Sequence, residues 1–448
     1  MNKYLYKQFF QNKVYVFSLI LLFLLGILAI HTGATFLEKN SQLMQDATLY
    51  QEQSIQKNTS HENHIGSTLY NIKFHLFNQP NKLTALNIGM RDFTPSVKGV
   101  TIRNLEEQKY NTDFYNPTSA VAGNFDFSFV LIFLFPLIII AINFNILSQE
   151  KESGTLKLLS LQSGDIKKII DTKLIIRFLS ISSLYFLLLL IAKFWIQIPL
   201  DKAFSLLILL GFLYIIFWFV LCRFIVANNK STSYNALALI LIWIGMNFIV
   251  PMVSFVLIQK MFPIEEALQT VIKQRDGYHN KWDEPQKATI DKFHNLYPQF
   301  KTSDDTLMNK DFNWKWYYAM QHLADVESME SSIAYQSKIE ARNNTAKLIG
   351  YFIPSIHTLT FSSELALSDQ NNILTYENKL KDFHKEKRLH FYPLIFSNQD
   401  SAIENWSNHK LEKFKAKSNV SIIQLVLPLL FIIIILLFIS HLKLKKLC

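Results

Sequence analysis

The stretch FSFVLIFLFPLIIIAINFNILSQEKESGTLKLLSLQSGDIKKIIDTKL, residues 127–174, decides the fold. Residues 127–147 carry no charge, and a helix needs roughly 20 mainly apolar residues to cross a bilayer. Charge then arrives at once in Glu150, Lys151 and Glu152, and a second apolar run opens at Leu174. The segment reads as span, short loop, span. The loop carries more pattern than a connector needs. Ser153-Gly154-Thr155 interrupts the helix leaving the first of these spans, and Gly154 tolerates the sharp reversal. Thr155 is placed to cap a short helix bearing Leu156, Leu158, Leu159 and Leu161. Ser163-Gly164-Asp165 breaks that helix again, and Ser163 is placed to cap the next one. The expected product is a short, apolar-faced helix between turns at the membrane surface. Packing on lipid is one use for such a face; docking a partner protein is the other.

Apolar blocks of the same kind recur at Val14–Ile30, Leu174–Ala192, Ala203–Cys222, Tyr234–Ile258 and Val420–Ser440, which with Phe127–Leu147 makes six. The fold class expected is an all-α polytopic membrane protein. It has six transmembrane helices and a mostly helical extracytoplasmic domain built from two long segments. Residues 1–30 form a cytoplasmic arm and the first span, and 31–126 the first outer segment. Residues 127–258 carry four spans with the loop at 150–165 between two of them. Residues 259–419 form the second outer segment, and 420–448 the last span and a basic tail.

Charge orients this layout. Lys3, Lys7 and Lys13 precede or open the first span, Arg223 and Lys230 follow the fourth, and Lys443, Lys445 and Lys446 follow the sixth. The loop from Ser148 to Arg177 adds six basic and four acidic residues. Together these regions carry the whole formal net charge of +10, while the two long segments hold 29 basic and 30 acidic residues. Lys and Arg near span ends mark the cytoplasmic face. Both termini are therefore expected inside, and an even number of spans agrees in putting them on one side, in a multi-pass protein of a bacterial cytoplasmic (inner) membrane. The basic balance reports topology. Nucleic-acid binding would need a basic face on a water-exposed domain, so no nucleic-acid partner is expected; the lipid membrane is.

The outer segments read mainly as helix. SQLMQDATLYQEQSIQKN lacks Gly and Pro and should continue the first span above the membrane. SVKGVTIRN alternates in part and predicts a short strand. Leu323, Val326, Met329 and Ile333 form an apolar stripe at helical spacing, expected to pack on neighbouring helices. KLIGYFIPSIHTLTF is apolar but short and contains Pro354, so it reads as an interfacial or re-entrant piece. The first apolar block is expected to stay as an anchor, because no small-x-small cleavage site follows it closely. Cys222 and Cys448 are the two cysteines, and neither lies in an outer segment, which leaves no disulfide framework there.

Several chemistries are missing. The chain contains no phosphate-binding G-x-x-x-x-G-K-[ST] loop, no G-x-S-x-G elbow and no H-E-x-x-H. No catalytic residues, no metal site and no cofactor of its own are expected. His61, His64 and His75 are histidines in suggestive proximity, but a metal site needs three or four supported ligands, and a polar helix or loop is the expected setting. His384 and His390, among lysines in DFHKEKRLH, read as a solvated face. Asn143, Asn145 and Asn247 lie in or near spans, where polar side chains bond neighbouring helices or line a substrate path. Pro136, Pro251 and Pro428 fall inside spans and can kink them.

Residues 125–173 resemble the second span and coupling helix of ABC-2 type transporter permeases. The family pattern is an acidic pair, Ser-Gly-Thr-Leu, a leucine-rich turn and a basic helix ending in Lys. It falls here on Glu150, Glu152, Ser153, Gly154, Thr155, Leu156, Leu159 and Lys173. Where many members have proline this chain has Gln162, which alters the turn. ALNIGMRDFTPSVKGVTIR is similar, at Gly89, Asp92, Pro95 and Val100, to a subfamily with two long extracytoplasmic segments. The membrane half is also similar to the nitrous-oxide-reductase maturation permease. The resemblance implies the membrane subunit of an ATP-driven transporter, most naturally an exporter, that is not itself an enzyme. It implies a separate ABC ATPase subunit that binds ATP-Mg, and a second permease copy or paralogue. A membrane-anchored scaffold or sensor is the alternative, but the longest inner loop is too short for a signalling domain.

Overall fold

The computed structural model describes residues 2–110, 124–155, 166–301 and 311–445. A short helix, α1 (Asn2–Gln11), precedes α2 (Lys13–His61), which Asn12 caps by accepting the Val14 N–H at 3.0 Å. At 1.5 Å per residue α2 runs roughly 70 Å, more than twice the hydrocarbon thickness of about 30 Å. The first span therefore continues unbroken into the next segment, as its sequence predicts. There follow α3 (Ile65–Asn71), β1 (Phe74–Asn78), β2 (Val97–Val100) and α4 (Glu106–Tyr110). The four-span block is α5 (Phe127–Glu152), α6 (Ile166–Ile196), α7 (Lys202–Val226) and α8 (Thr232–Met261). Next come α9 (Glu266–Asp283), α10 (Gln286–Leu296), α11 (Trp314–Gly350), α12 (Pro354–Ala366), α13 (Gln370–Phe396), β3 (Glu412–Phe414) and α14 (Ile422–Lys445). Six of these, α2, α5 to α8 and α14, are long and apolar enough to cross a membrane.

The bundle is built around α7. The most apolar stretch of this helix is 72% buried, against 11% for α8 and 17% for α14. Trp218 and Tyr214 are fully enclosed. A helix apolar on all sides belongs at a bundle centre, while α8 and α14 turn rows of apolar side chains outward.

Two of the three prolines within spans sit directly after a π-helical turn, at Val130–Leu134 in α5 and Gly245–Ile249 in α8. Proline offers no N–H and crowds the carbonyl four residues back. In α5 the carbonyl that Pro136 cannot serve is that of Ile132, and the Tyr214 hydroxyl donates to it at 3.1 Å. In α8 the Val250 N–H bonds Gly245 O, which frees Met246 O to accept from the Ser355 hydroxyl at 2.7 Å. Backbone groups in an apolar bundle must find such partners. Ser355 lies on α12, which is only 13 residues long and packs its Phe361, Leu365 and Ala366 into the bundle core. The KLIGYFIPSIHTLTF segment thus joins the end of α11 to a short helix inserted against the bundle, and the 13-residue length of that helix rules out a span.

A second core joins both long segments. It includes Ile65, Leu69, Phe74 and Leu76 from the first and Phe293, Tyr318, Phe383, Tyr392 and Ile395 from the second. The sheet order is β2-β1-β3: β1 runs antiparallel to β2, with Phe74 opposite Val100, and parallel to β3, with Leu76 opposite Glu412. The strand expected in SVKGVTIRN is β2. Arg388 of α13 pairs with Asp325 of α11 at 2.8 Å and donates to Ile102 O at 3.0 Å. Asp325 in turn accepts the Leu105 N–H at 2.8 Å. His384 is buried and bonds Thr101 O at 3.0 Å, so the expected solvated face of DFHKEKRLH is in part an inward face. The stripe on α11 also departs from expectation. Leu323 is buried, but Met329 and Ile333 are exposed, and Ser328, Ser331 and Ser332 face inward instead. The reason is the partner: Ser332 Oγ donates to the buried Glu106 at 3.0 Å.

Arg91 ties this second body to the bundle. The buried guanidinium donates to Leu367 O at 2.7 Å, Asn78 O at 2.9 Å, and Asn372 Oδ1 at 3.0 Å. Beside it the Met90 N–H bonds Ser368 O at 2.9 Å, with Gly89 in the left-handed region at φ +51°. Replacing Arg91 with Met leaves several buried acceptors unpaired, at about 1–3 kcal/mol each. A fall of several degrees in the melting temperature of the detergent-purified chain is expected, with Arg275→Met, at an exposed position, as the unchanged control. An equal melting temperature for Arg91→Met refutes the tie.

Burial holds His75 at about 4 and His322 at about 3, and pushes His384 well below the usual range. These imidazoles are neutral when folded and gain protons on unfolding below pH 6.5. Their contribution is complete above 6.5 and is lost as pH falls toward the folded values. Asp126 and Asp369, each raised by burial to about 6, and Asp325, also raised by burial, oppose this below their own folded values. The imidazoles act from pH 6.5 downward and Asp126 and Asp369 only from about 6, so denaturant stability should fall between pH 6.5 and 6. A flat profile there contradicts the assignment of neutral buried histidines.

Candidate functional site

The end of the bundle away from the second core gathers α1, the start of α6, the turn before α8 and the end of α14. Arg223 of α7 pairs with Asp171 of α6 at 2.8 Å and donates to Ser440 of α14 at 2.5 Å. Lys443 reaches Asn228 Oδ1 at 2.6 Å. Arg223 and Lys443, two of the basic residues that set the charge balance, thus lie at this end.

The acidic pair lies in the last turn of α5, just ahead of the interruption at Ser153-Gly154-Thr155. Glu150 Oε1 meets Lys173 of α6 at 2.7 Å, and its Oε2 accepts from the Thr155 hydroxyl at 2.5 Å. Ser153 Oγ lies 2.8 Å from Thr155 Oγ1. Thr155 therefore closes back on Glu150 within the described residues. Gly154 has φ +75° and open space around it. The reversal there is a backbone requirement, which glycine meets without strain. Glu152 accepts the Thr232 N–H at 2.9 Å and the Thr232 hydroxyl at 2.8 Å. A carboxylate at a helix N-terminus satisfies unpaired N–H groups and the helix dipole together, so Glu152 fastens the loop to α8. Lys151 adds a contact to Asn229 O at 3.3 Å. Leu156 and Leu159 lie outside the described residues.

Of the predicted loop residues, Glu150 thus meets Lys173 and Glu152 meets Thr232, while Ser153 and Thr155 bond within the loop and Gly154 supplies the reversal. Thr232 and Ser148, whose hydroxyls lie 2.7 Å apart, were not singled out from the sequence. Their role depends on a contact with the acidic pair some 80 residues away, which spacing alone does not reveal. Beneath α1 a polar cleft is lined by Gln8, Asn12, Asn145, Gln149, Lys173 and Arg177. Arg177, the charge near the start of the third span, is buried, donates to Ile142 O and lies over the Tyr15 ring at 5.1 Å.

The asparagines separate. Asn143 Nδ2 bonds Ile139 O at 2.7 Å, Asn247 Nδ2 bonds Trp243 O at 2.9 Å, and Asn145 Nδ2 bonds Gln149 at 2.8 Å. All three amides donate within their own helix, and their Oδ1 atoms are buried without a partner. Bonding between helices comes instead from Asn235, which donates from α8 to Phe144 O at 3.2 Å. Asn145 lines the cleft beneath α1; Asn143 and Asn247 do not.

The early histidines are not brought together. His61 bonds Lys57 O, His64 caps α3 through Gly66 N, and His75 bonds Gln51. The one group of side chains set for metal among the described residues is His390, Glu404 and His409, in the second body.

A family model described as a domain of unknown function, DUF3526, matches residues 266–415, from α9 to just past β3. No curated protein and no solved structure matches the chain. The match covers the segment between the fifth and sixth candidate spans and leaves the loop after α5 outside it.

The Glu152–Thr232 contact is open to direct test. With Cys222 and Cys448 replaced by Ser, cysteines at Glu152 and Thr232 should be joined by a short bis-maleimide in membranes. A Glu152→Cys, Ser205→Cys pair, at opposite ends of the bundle, should not be. Equal yields from both pairs mean that the loop is not held against α8.

Proposed function

We propose that the chain is the membrane-spanning subunit of an ATP-driven ABC transporter, working as an exporter with a separate ATPase subunit and a second permease copy or paralogue. The observation that carries this reading is the loop after α5. Its Lys151, Glu152, Ser153 and Gly154 are exposed, yet its two carboxylates are locked to α6 and α8. A push on this loop therefore displaces three spans at once. The resemblance to permease coupling helices supports the same use: a surface recognised by an ATPase and rigidly joined to the spans. Lys and Arg side chains at this end, Arg223 and Lys443 among them, support a cytoplasmic location for this face in a bacterial cytoplasmic membrane. Both termini are then cytoplasmic, and the second body is extracytoplasmic.

Transport follows from mechanics in this reading. The ATPase binds ATP-Mg, closes, and moves the docked loop. The Glu150–Lys173 pair and the Glu152 cap on α8 carry that motion into α5, α6 and α8. The π turns in α5 and α8 are places where a helix can flex, because widened turns already break the regular bonding.

Three outcomes are expected. Leu156→Ala with Leu159→Ala weakens recovery of the ATPase with this subunit by about thirtyfold if the pair dominates the contact, since a buried Leu side chain is worth on the order of 2 kcal/mol or more. Undiminished recovery overturns docking through this loop. Cysteines at Ser60 and Ser407, both exposed, react with an impermeant thiol reagent in intact cells, after outer-membrane permeabilisation where needed, while one at Lys230 does not. The reverse pattern overturns the orientation. The purified subunit alone hydrolyses no ATP; turnover that stays with it through repurification sinks the reading.

A further inference from the structure

We propose that His390, Glu404 and His409 form a binding site for one borderline divalent transition-metal ion, with Zn2+ as the reference ion and the remaining coordination position open to water. This inference is independent of the transporter reading. It concerns a site in the second body, inside the DUF3526 match.

The geometry is already that of a ligand set. Glu404 Oε2 lies 3.0 Å from His390 Nε2, and Glu404 Oε1 lies 3.0 Å from His409 Nε2. One ligand atom from each of the three lies within 4.8 Å of the others. In a tetrahedral zinc site with bonds of about 2.0–2.1 Å, neighbouring donor atoms stand about 3.3 Å apart. The carboxylate-to-imidazole edges need to widen by only a few tenths of an ångström, and the two imidazoles need to settle about one oxygen of Glu404 at the same spacing. Two imidazoles and one carboxylate are the donor types that borderline ions favour, and three protein ligands leave a position for an exogenous one.

The surroundings hold two of the three side chains in place. The His409 ring packs against Phe391 at 5.0 Å and Phe74 at 5.5 Å, and its backbone oxygen accepts from Gln51 at 2.8 Å. The side chains of Glu404 and His409 are 10% and 7% exposed, whereas that of His390 is 50% exposed. The site therefore has an enclosed floor and one open side, which gives an ion a way in. Lys387 lies nearby, but Glu412 engages it at 2.9 Å, which offsets its charge. An imidazole that donates from Nε2 to Glu404 must carry its proton on Nδ1 instead to become a ligand. Neutral imidazole permits that tautomer change.

The placement gives an ion something to do. His390 is on α13, while Glu404 and His409 lie on the connection from α13 to β3. The chain enters α14, the last span, eight residues after β3. An ion would pin this connection to α13 and stiffen the route from the second body into that span. The open position suits a small donor ligand or a side chain of a partner.

The test uses the full chain, purified in detergent and stripped with a chelator. Titration with Zn2+ against a chromophoric competitor should show one tight equivalent. Co2+ should give the intense visible absorption of four-coordinate nitrogen and oxygen ligation. His390→Asn and Glu404→Gln should each weaken Zn2+ binding by about 100-fold or more, with the Co2+ band lost, since even supporting residues around a metal contribute 10–100-fold. Zn2+ should raise the melting temperature of the unaltered chain and of neither variant. His390→Asn, at the open side, guards against a variant that misfolds, and its metal-free melting curve should match the parent. Absence of a tight equivalent in the parent, or binding unchanged in His390→Asn, overturns the proposal and leaves the three side chains as a hydrogen-bonded triad.

Discussion

A buried guanidinium sets the relation between the two halves of this molecule. Arg91 has no competitor for its position, because four acceptors from three chain segments converge on it: Asn78 O and Oδ1, Leu367 O and Asn372 Oδ1. Burial lowers its pKa to about 10, against the pull of Asp369 in the other direction, so it stays charged at any pH a cell presents. Around it, Thr84 bonds Ala366 O at 2.8 Å and Asn87 bonds Ser362 at 2.8 Å. Asp126, at the start of α5, accepts the Ile88 N–H at 2.8 Å. Residues 84–91 thus touch the end of α12, the head of α13 and the head of α5. Gly33 of α2 allows the same segment to approach closely, since a Cβ there would run into the Ala85 backbone.

The layout of spans was legible because it depends on one property read in blocks. Six apolar runs gave six candidate helices, and the uninterrupted polar sequence after the first gave its long continuation. What failed to show was structure carried by polar residues. In α13, His384, Arg388, Phe391 and Ile395 face inward at helical spacing, but two of the four are charged or titratable, and the stripe was hidden by its own chemistry. On α11 the opposite occurred. Met329 and Ile333 drew the eye as core, while the serines between them held the contact. Strand β1, FHLFN, is buried at every position. It therefore lacks the alternation that marks a half-exposed strand, and its parallel partner β3 lies more than 300 residues on.

The site shows the same division. The glycine at the reversal was legible because turn chemistry is local, but Thr155, read as a cap for the residues after it, bonds the acid before it. The partners were not legible. Lys173 stood out in the basic opening of the next helix, but nothing in the sequence links Thr232 to Glu152. The metal-ready triad was hidden for a related reason. His390 was visible among lysines, yet its companions sit on an irregular connection whose path follows from Gln51 and Phe74, residues in the first long segment.

Helix α5 is where these features meet. Its first turn is anchored by Asp126, whose carboxylate accepts both Phe129 N and Ile88 N at 2.8 Å. Its last turn is anchored by Glu150 and Glu152 to α6 and α8. A helix held by carboxylates at both ends cannot rotate or slide at one end without loading the other. The yielding point between them is the π turn at Val130–Leu134, followed by Pro136, where the regular ladder is already interrupted and Tyr214 supplies the missing partner. That hydroxyl comes from α7, the most enclosed helix of the bundle, so a change in the π turn has to be accommodated at the bundle centre. The same arrangement recurs in α8, where Ser355 of α12 meets the freed carbonyl. Helix α12 leads through Ala366 directly into the Arg91 cluster. Motion applied to the loop after α5 therefore has two physical routes to the second body, one along α5 to Asp126 and one along α8 through α12, and both end on residues 84–91.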